Sequence, residues 1–193
     1  GTTTANWMVY HKDAGTGNSD YLMLDSSNAK GGAGAVNFLN ATIPTSTLVT
    51  LGDDSNNNAS DTNVMYLFRS IAGVCRVGSY IGNGSSSAPP YVALDFRPRF
   101  IMIKNASTAR DWIIVDTAIS PSNPADLFLF PNLDIAEAAR GSASGSDYDI
   151  DLLSGAFLPY TGDSAPNGNG DTIIYIAMAD IGGNGTLPPI YGR

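Results

Sequence analysis

Trp7 and Trp112 stand 105 positions apart, each inside a near-copy of one short motif. Thr4-Ala5-Asn6-Trp7-Met8-Val9-Tyr10 returns as Thr108-Ala109-Arg110-Asp111-Trp112-Ile113-Ile114-Val115. A second pair follows in the same order. Asp61-Thr62-Asn63-Val64-Met65-Tyr66-Leu67-Phe68 returns as Asp171-Thr172-Ile173-Ile174-Tyr175-Ile176-Ala177, with the tyrosines 109 positions apart. A loop rich in Asn and Gly precedes this second run in each half, at residues 53–61 and 162–171. Two ordered matches at nearly one offset argue for duplication, and so long a period describes a duplicated half-domain instead of a solenoid. The expected division is a first half-repeat at residues 1–75 and a second at 76–193, together forming one domain.

Residue usage says what kind of half-domain is duplicated. Glu137 is the single glutamate and Lys12, Lys30 and Lys104 are the only lysines, so the usual surface-helix formers are nearly absent. Asn, Asp, Ser, Gly and Pro abound between short apolar runs, the pattern of turns joining antiparallel strands. The fold class that follows is all-β: an antiparallel β-sandwich of two pseudo-symmetric halves with at most one short helix.

Strands are expected at residues 7–11, 21–24, 48–51, 64–71, 77–81, 91–96, 100–104, 112–116, 127–129, 150–153, 156–160 and 172–179, each bounded by turn formers. The runs at 100–104 and 172–179 are apolar on both faces, which places them inside the structure. Asp134 with Glu137 forms a capping box, and Gly141 offers a stop, so one helix of two turns is expected there. Gly82-Asn83-Gly84 reads as a hairpin turn between the strands around it. Phe100-Ile101-Met102-Ile103-Lys104 should pair with the strand of Trp112 as a hairpin. No such leading strand precedes Trp7, since the sequence opens at Gly1, so the first half is expected to lack one. Its edge would then be filled from elsewhere in the chain or by a segment removed upstream, and the strand of Trp7 would have a borrowed partner or an exposed edge. The absence of an initiator Met and the terminal Arg193 fit a processed chain.

Chemistry is sparse. The net charge of −8 disfavours phosphate-backbone binding, so no nucleic-acid partner is expected. No apolar run approaches the roughly 20 residues of a helical membrane span, so no membrane partner is expected either. Cys75 stands alone, which excludes an internal disulfide and suggests a small strand residue. His11 is the sole histidine and reads as a turn or surface residue, because no nucleophilic elbow accompanies it. One His and one Cys do not make a zinc site. Asp147, Asp149 and Asp151 alternate along one strand face, but Leu152 and Leu158 stand where a calcium loop of the EF-hand type needs Gly and Glu. No catalytic residue, metal or cofactor is therefore expected, and the chain reads as a non-enzyme. Weak binding candidates remain in two oxygen-rich turns: Asp53, Asp54 and Asn56 in the first half, and Asn167, Asn169 and Asp171 in the second. Trp7 and Trp112 could stack on sugars, but their matched positions speak for paired core anchors.

Several stretches look familiar. Asn6-Trp7-Met8-Val9-Tyr10-His11-Lys12, Ala41-Thr42-Ile43-Pro44-Thr45-Ser46-Thr47, Gly78-Ser79-Tyr80-Ile81-Gly82-Asn83-Gly84 and Phe96-Arg97-Pro98-Arg99-Phe100-Ile101-Met102-Ile103-Lys104, with Asp111-Trp112, carry the likeness. Over nearly its whole length the chain resembles an uncharacterised duplicated β domain family of tailed-bacteriophage fibre and virion proteins. Members of that family open with a strand of the Pro-x-x-Ile-Ile-Val-Lys kind, which this sequence lacks before Trp7. The resemblance implies an extracellular virion module of a tail fibre, head fibre or capsid surface. Its partners would be other virion proteins, copies of itself, and a host-surface glycan. The alternatives from other classes are a secreted carbohydrate-binding or adhesin module and, behind it, a glycan-degrading enzyme.

Overall fold

The computed structural model describes residues 6–15, 20–31, 39–52, 62–139, 141 and 148–179. At its centre is a four-stranded antiparallel sheet in the order β3 (Cys75–Ile81), β11 (Thr172–Ala179), β5 (Pro98–Asn105), β6 (Ile113–Asp116). β5 and β6 form the expected hairpin, with Phe100 opposite Asp116 and Ile103 opposite Ile113. The two strands written with apolar residues on both faces, β11 and β5, are the two inner ones. A second antiparallel sheet of β4 (Val92–Ala93), β10 (Ala156–Pro159) and β9 (Ile150–Leu152) packs on the first. Two-stranded pairs join β1 (Met8–Val9) to β2 (Leu22–Met23) and β7 (Leu127–Phe128) to β8 (Ala138–Ala139). The architecture is all-β and sandwich-like.

Period-two alternation sorts the central sheet's side chains into two cores. Ile101 and Ile103 of β5, Ile113 and Val115 of β6, and Ile173 and Tyr175 of β11 face the three-stranded sheet, where Phe157, Leu94 and Ile150 meet them. Edge-on contacts of Phe157 with Tyr80 and Tyr175, at centroid distances of 5.7 and 5.3 Å, tie the layers together. On the opposite face Ile174 and Trp112 form a smaller core with Ala14, Leu22 and Ala106. The β1–β2 hairpin is thus a cover over the back of the sheet. Trp112 Nε1 donates to the Met23 carbonyl at 2.9 Å, and the Lys30 amide donates to the Ala106 carbonyl at 2.9 Å.

Several expectations are corrected by the structure. The capping box at Asp134 and Glu137 starts no helix. Ala138 is drawn into the main core and pairs opposite Phe128 in β8, and a two-turn helix cannot compete with that burial. The one described helix, α1 (Ser164–Asn167), lies elsewhere, capped by the Asp163 carboxylate accepting from the Ala165 amide at 2.7 Å. Residues 48–51 are not a strand, since Thr45 Oγ1 turns the chain by accepting from the Leu48 amide at 3.0 Å. Gly82-Asn83-Gly84 is not a hairpin turn, because the strands on its two sides belong to different sheets. Residues 64–71, expected as a strand and as the first-half counterpart of β11, form no strand and lie exposed. Nor are the tryptophans paired anchors: Trp112 is 3 % exposed and Trp7 56 %. For the strand beside Trp7, one of the expected outcomes is seen: its partner comes from elsewhere in the chain, β2.

Candidate functional site

Of the six loop candidates, Asp53, Asp54 and Asn56 lie outside the described residues. The other three belong to the turn that carries α1 into β11. Asn167 is fully buried there. Its side-chain amide donates to the carbonyls of Thr161 at 2.7 Å and Ser85 at 3.1 Å, and its Oδ1 accepts from the Asn83 amide at 2.9 Å. Asp171 Oδ2 accepts from Asn105 Nδ2 at 2.7 Å and from Thr108 Oγ1 at 2.9 Å. Asn169 alone is exposed. The turn is clasped by the Gly82-Asn83-Gly84 loop: the Gly84 amide donates to the Asn167 carbonyl and the Gly170 amide to the Gly82 carbonyl, both at 2.9 Å. A Cβ on Gly82 would stand 2.2 Å from the Gly168 carbonyl oxygen, so only glycine permits this approach. The side-chain oxygens Asn167 Oδ1 and Asp171 Oδ2, which helped make the turn look like a ligand site, are engaged in holding it to neighbouring loops. Asn105 and Thr108 escaped the sequence reading because they lie 66 and 63 positions from Asp171.

The ionisable groups are dispersed. His11 Nδ1 accepts from the Asp13 amide at 3.1 Å, while its Nε2 is buried with no hydrogen-bond partner. Burial lowers its pKa, the Asp13 carboxylate opposes that, and Lys12 adds to it. The imidazole is therefore a neutral turn residue. Burial pushes the Cys75 thiol up, away from the thiolate that nucleophilic chemistry needs. Asp151 is raised by burial and then by Asp149, while Asp147 lies outside the described residues. Among the described residues no group of three His, Cys, Asp or Glu could hold a metal ion, and no helix is long and apolar enough to cross a membrane. Lys104 is the unusual cation. It is fully buried, donating to the carbonyls of Ser27 at 2.9 Å and of Arg110, and burial lowers its pKa to about 8.

What the surface does offer is apolar. Val64, Met65, Tyr66, Leu67 and Phe68 are all exposed, in consecutive positions. Trp7 stacks on Tyr66 with ring centroids 6.5 Å apart and planes inclined by 27°. Leu67 and Phe68 continue into an open groove of about 600 Å³ that Phe100 and Met178 also line, with Arg69 and Arg99 among its charged members. Arg99 lies 3.7 Å from Asp116, and none of the three ion pairs among the described residues includes Arg69. Sequence reasoning missed this surface because it read residues 64–71 as a strand, with no account of which of its faces would stay uncovered.

No curated protein and no solved structure matches the chain. One protein family does, over residues 1–181: a domain of unknown function, DUF7483. With nearly the whole sequence matched, the chain belongs to the DUF7483 family.

Proposed function

We propose that this chain is a structural module of a bacteriophage particle, in a tail fibre, a head fibre or the capsid surface, acting in assembly and in contact with the host surface. The observation that carries the assembly part is the uncovered apolar surface of residues 64–68 with Trp7 and the adjoining groove. Monomeric soluble proteins rarely leave so continuous an apolar strip in water, and such strips mark surfaces that meet another macromolecule. The particle assignment draws on the resemblance of the quoted motifs to virion proteins. An all-β fold with dispersed ionisable groups suits that role, and the reading gives the chain no reaction to catalyse. Quantitative mass spectrometry of purified particles tests it: the chain should be present at a fixed copy number, and its absence from particles would end the reading.

A second reading has its own observation. The Trp7–Tyr66 stack is exposed, and aromatic faces of this kind bind sugar rings in carbohydrate-binding and adhesin modules. Binding on a glycan array that is lost in Trp7→Ala, without particle association, would favour this reading.

A further inference from the structure

We propose that His11 is an acid-operated latch, whose protonation releases the β1–β2 hairpin from the back of the central sheet and uncovers the smaller core. The turn at residues 11–14 carries the chain out of β1 and seats Ala14 in that core with Leu22, Trp112 and Ile174. Two bonds close the turn. The Ala14 amide donates to the His11 carbonyl at 3.0 Å, and the Asp13 amide donates to His11 Nδ1 at 3.1 Å. An imidazole nitrogen that accepts carries no proton, so the proton of the neutral ring is on Nε2. Nε2 is buried and has no hydrogen-bond partner among the described residues.

A second proton disturbs both ends of the ring. Nδ1 becomes a donor facing the Asp13 N–H, and the bond that closes the turn is lost. The new charge sits on a ring whose other nitrogen is out of water and without an acceptor. Burial accordingly holds the imidazole below its ordinary 6.5, with the Asp13 carboxylate opposing and the Lys12 ammonium adding to the effect. Both of those charges belong to the same turn, and among the described residues no second carboxylate acts on the ring. Asp13 is itself engaged, by Lys12 at 2.6 Å and by the Ser79 hydroxyl of β3. The other titratable groups around the turn are Tyr10 and, on β11, Tyr175, which feels the Asp13 charge and is hydrogen-bonded to Arg76 of β3. An open hairpin returns the imidazole to water and to its ordinary value, so the open form takes the proton more readily. With the closed-state value depressed, closure keeps its full stability above pH 6.5 and loses it as pH falls from there through the closed-state value. Little else resists, because the ladder between β1 and β2 is two residues long.

The full chain tests this, and His11 is its only histidine, so its imidazole proton resonance is unambiguous. That resonance should titrate with a midpoint below 6.5. Amide protection at residues 22–31, corrected for the intrinsic pH dependence of exchange, should fall several-fold between about pH 7.5 and about pH 5, while β5 and β11 keep theirs. His11→Asn offers the Asp13 amide a side-chain oxygen in place of Nδ1 and does not titrate, so its hairpin should stay protected at both values. His11→Ala offers no acceptor, so its hairpin should be loosened at both. A midpoint at or above 6.5, wild-type protection at 22–31 that is equal at the two pH values, or the same acid loss in His11→Asn would each overturn the proposal. Parallel loss in β5 and β11 would overturn it too, since the whole molecule and not the hairpin would then be yielding to acid.

Discussion

Lys104 is held out of water, and among the described residues its amine makes no ion pair but donates to the carbonyls of Ser27 and Arg110. Burial dominates its pKa, the Asp111 charge partly restores it and Arg110 lowers it further, leaving about 8 against an ordinary 10.5. The folded-state pKa is depressed, so the folded protein releases this proton before the unfolded chain does. The stabilising contribution is absent below pH 8, grows between about 8 and 10.5, and is complete above that. Relative to Lys104→Met, which has no proton to release, the wild type should gain on the order of 3 kcal/mol across that window. Urea midpoints of the two proteins at pH 7.5 and at pH 10 would measure it, and parallel behaviour would show that the amine is hydrated. Asn167 poses the opposite case, a buried group whose partners are all satisfied. Asn167→Ala strands the Asn83 amide and two carbonyls, so it should cost about 2–4 kcal/mol in urea unfolding. Asn169→Ala, in the same turn but exposed, should stay within about 0.5 kcal/mol.

Two segments with nearly the same wording behave as different elements, and the difference lies in their neighbours. Val64 corresponds to Ile173 when Tyr66 is aligned with Tyr175, yet Ile173 is fully buried between two strands and Val64 is exposed. Ile173→Ala should therefore cost about 2–5 kcal/mol. Val64→Ala should change monomer stability by less than about 0.5 kcal/mol, and equal losses in thermal unfolding would show that residues 64–68 are packed in solution. The contrast also marks how far the sequence was legible. Strands β3, β5, β6, β9, β10 and β11 were readable because each writes its own burial in alternating or continuous apolar residues. Residues 64–71 carry that signature too, and local pattern cannot tell whether a partner strand stands beside it. The Asp134–Glu137 box failed for a related reason, since β7 supplies a pairing that outweighs a marginal helix. In the candidate site, the oxygen-rich turn at 167–171 was visible, but not that Asn83, Asn105 and Thr108 from distant positions donate to its side-chain oxygens.

At the scale of the molecule, the two cores on opposite faces of the central sheet are unequal. The larger one draws on the four-stranded and three-stranded sheets and on β7 and β8, whereas the smaller has, among the described residues, Ala14, Leu22, Ala106, Trp112 and Ile174 buried. The hairpin covering the smaller core is two residues of ladder long. Beyond apolar contact it is held by the Trp112 indole, the Lys104 ammonium, the Lys30 amide and a 3.3 Å ion pair between Lys30 and Asp20. Segments with so few bonds open without the rest of a protein unfolding. Amides of residues 22–31 should therefore exchange faster than those of β5 and β11, and by a mechanism that leaves the main core closed. Leu22→Ala sharpens the point, because it removes a fully buried side chain from the smaller core alone. It should cost about 2–5 kcal/mol locally and speed exchange in the hairpin while β5 and β11 keep their protection. Uniform loss of protection across both would mean that the molecule unfolds as one unit. Selective loss would mean that Trp112, Met102 and Ile174 can be uncovered while the sandwich stays intact, so that the back of the sheet becomes a second apolar surface available to a partner.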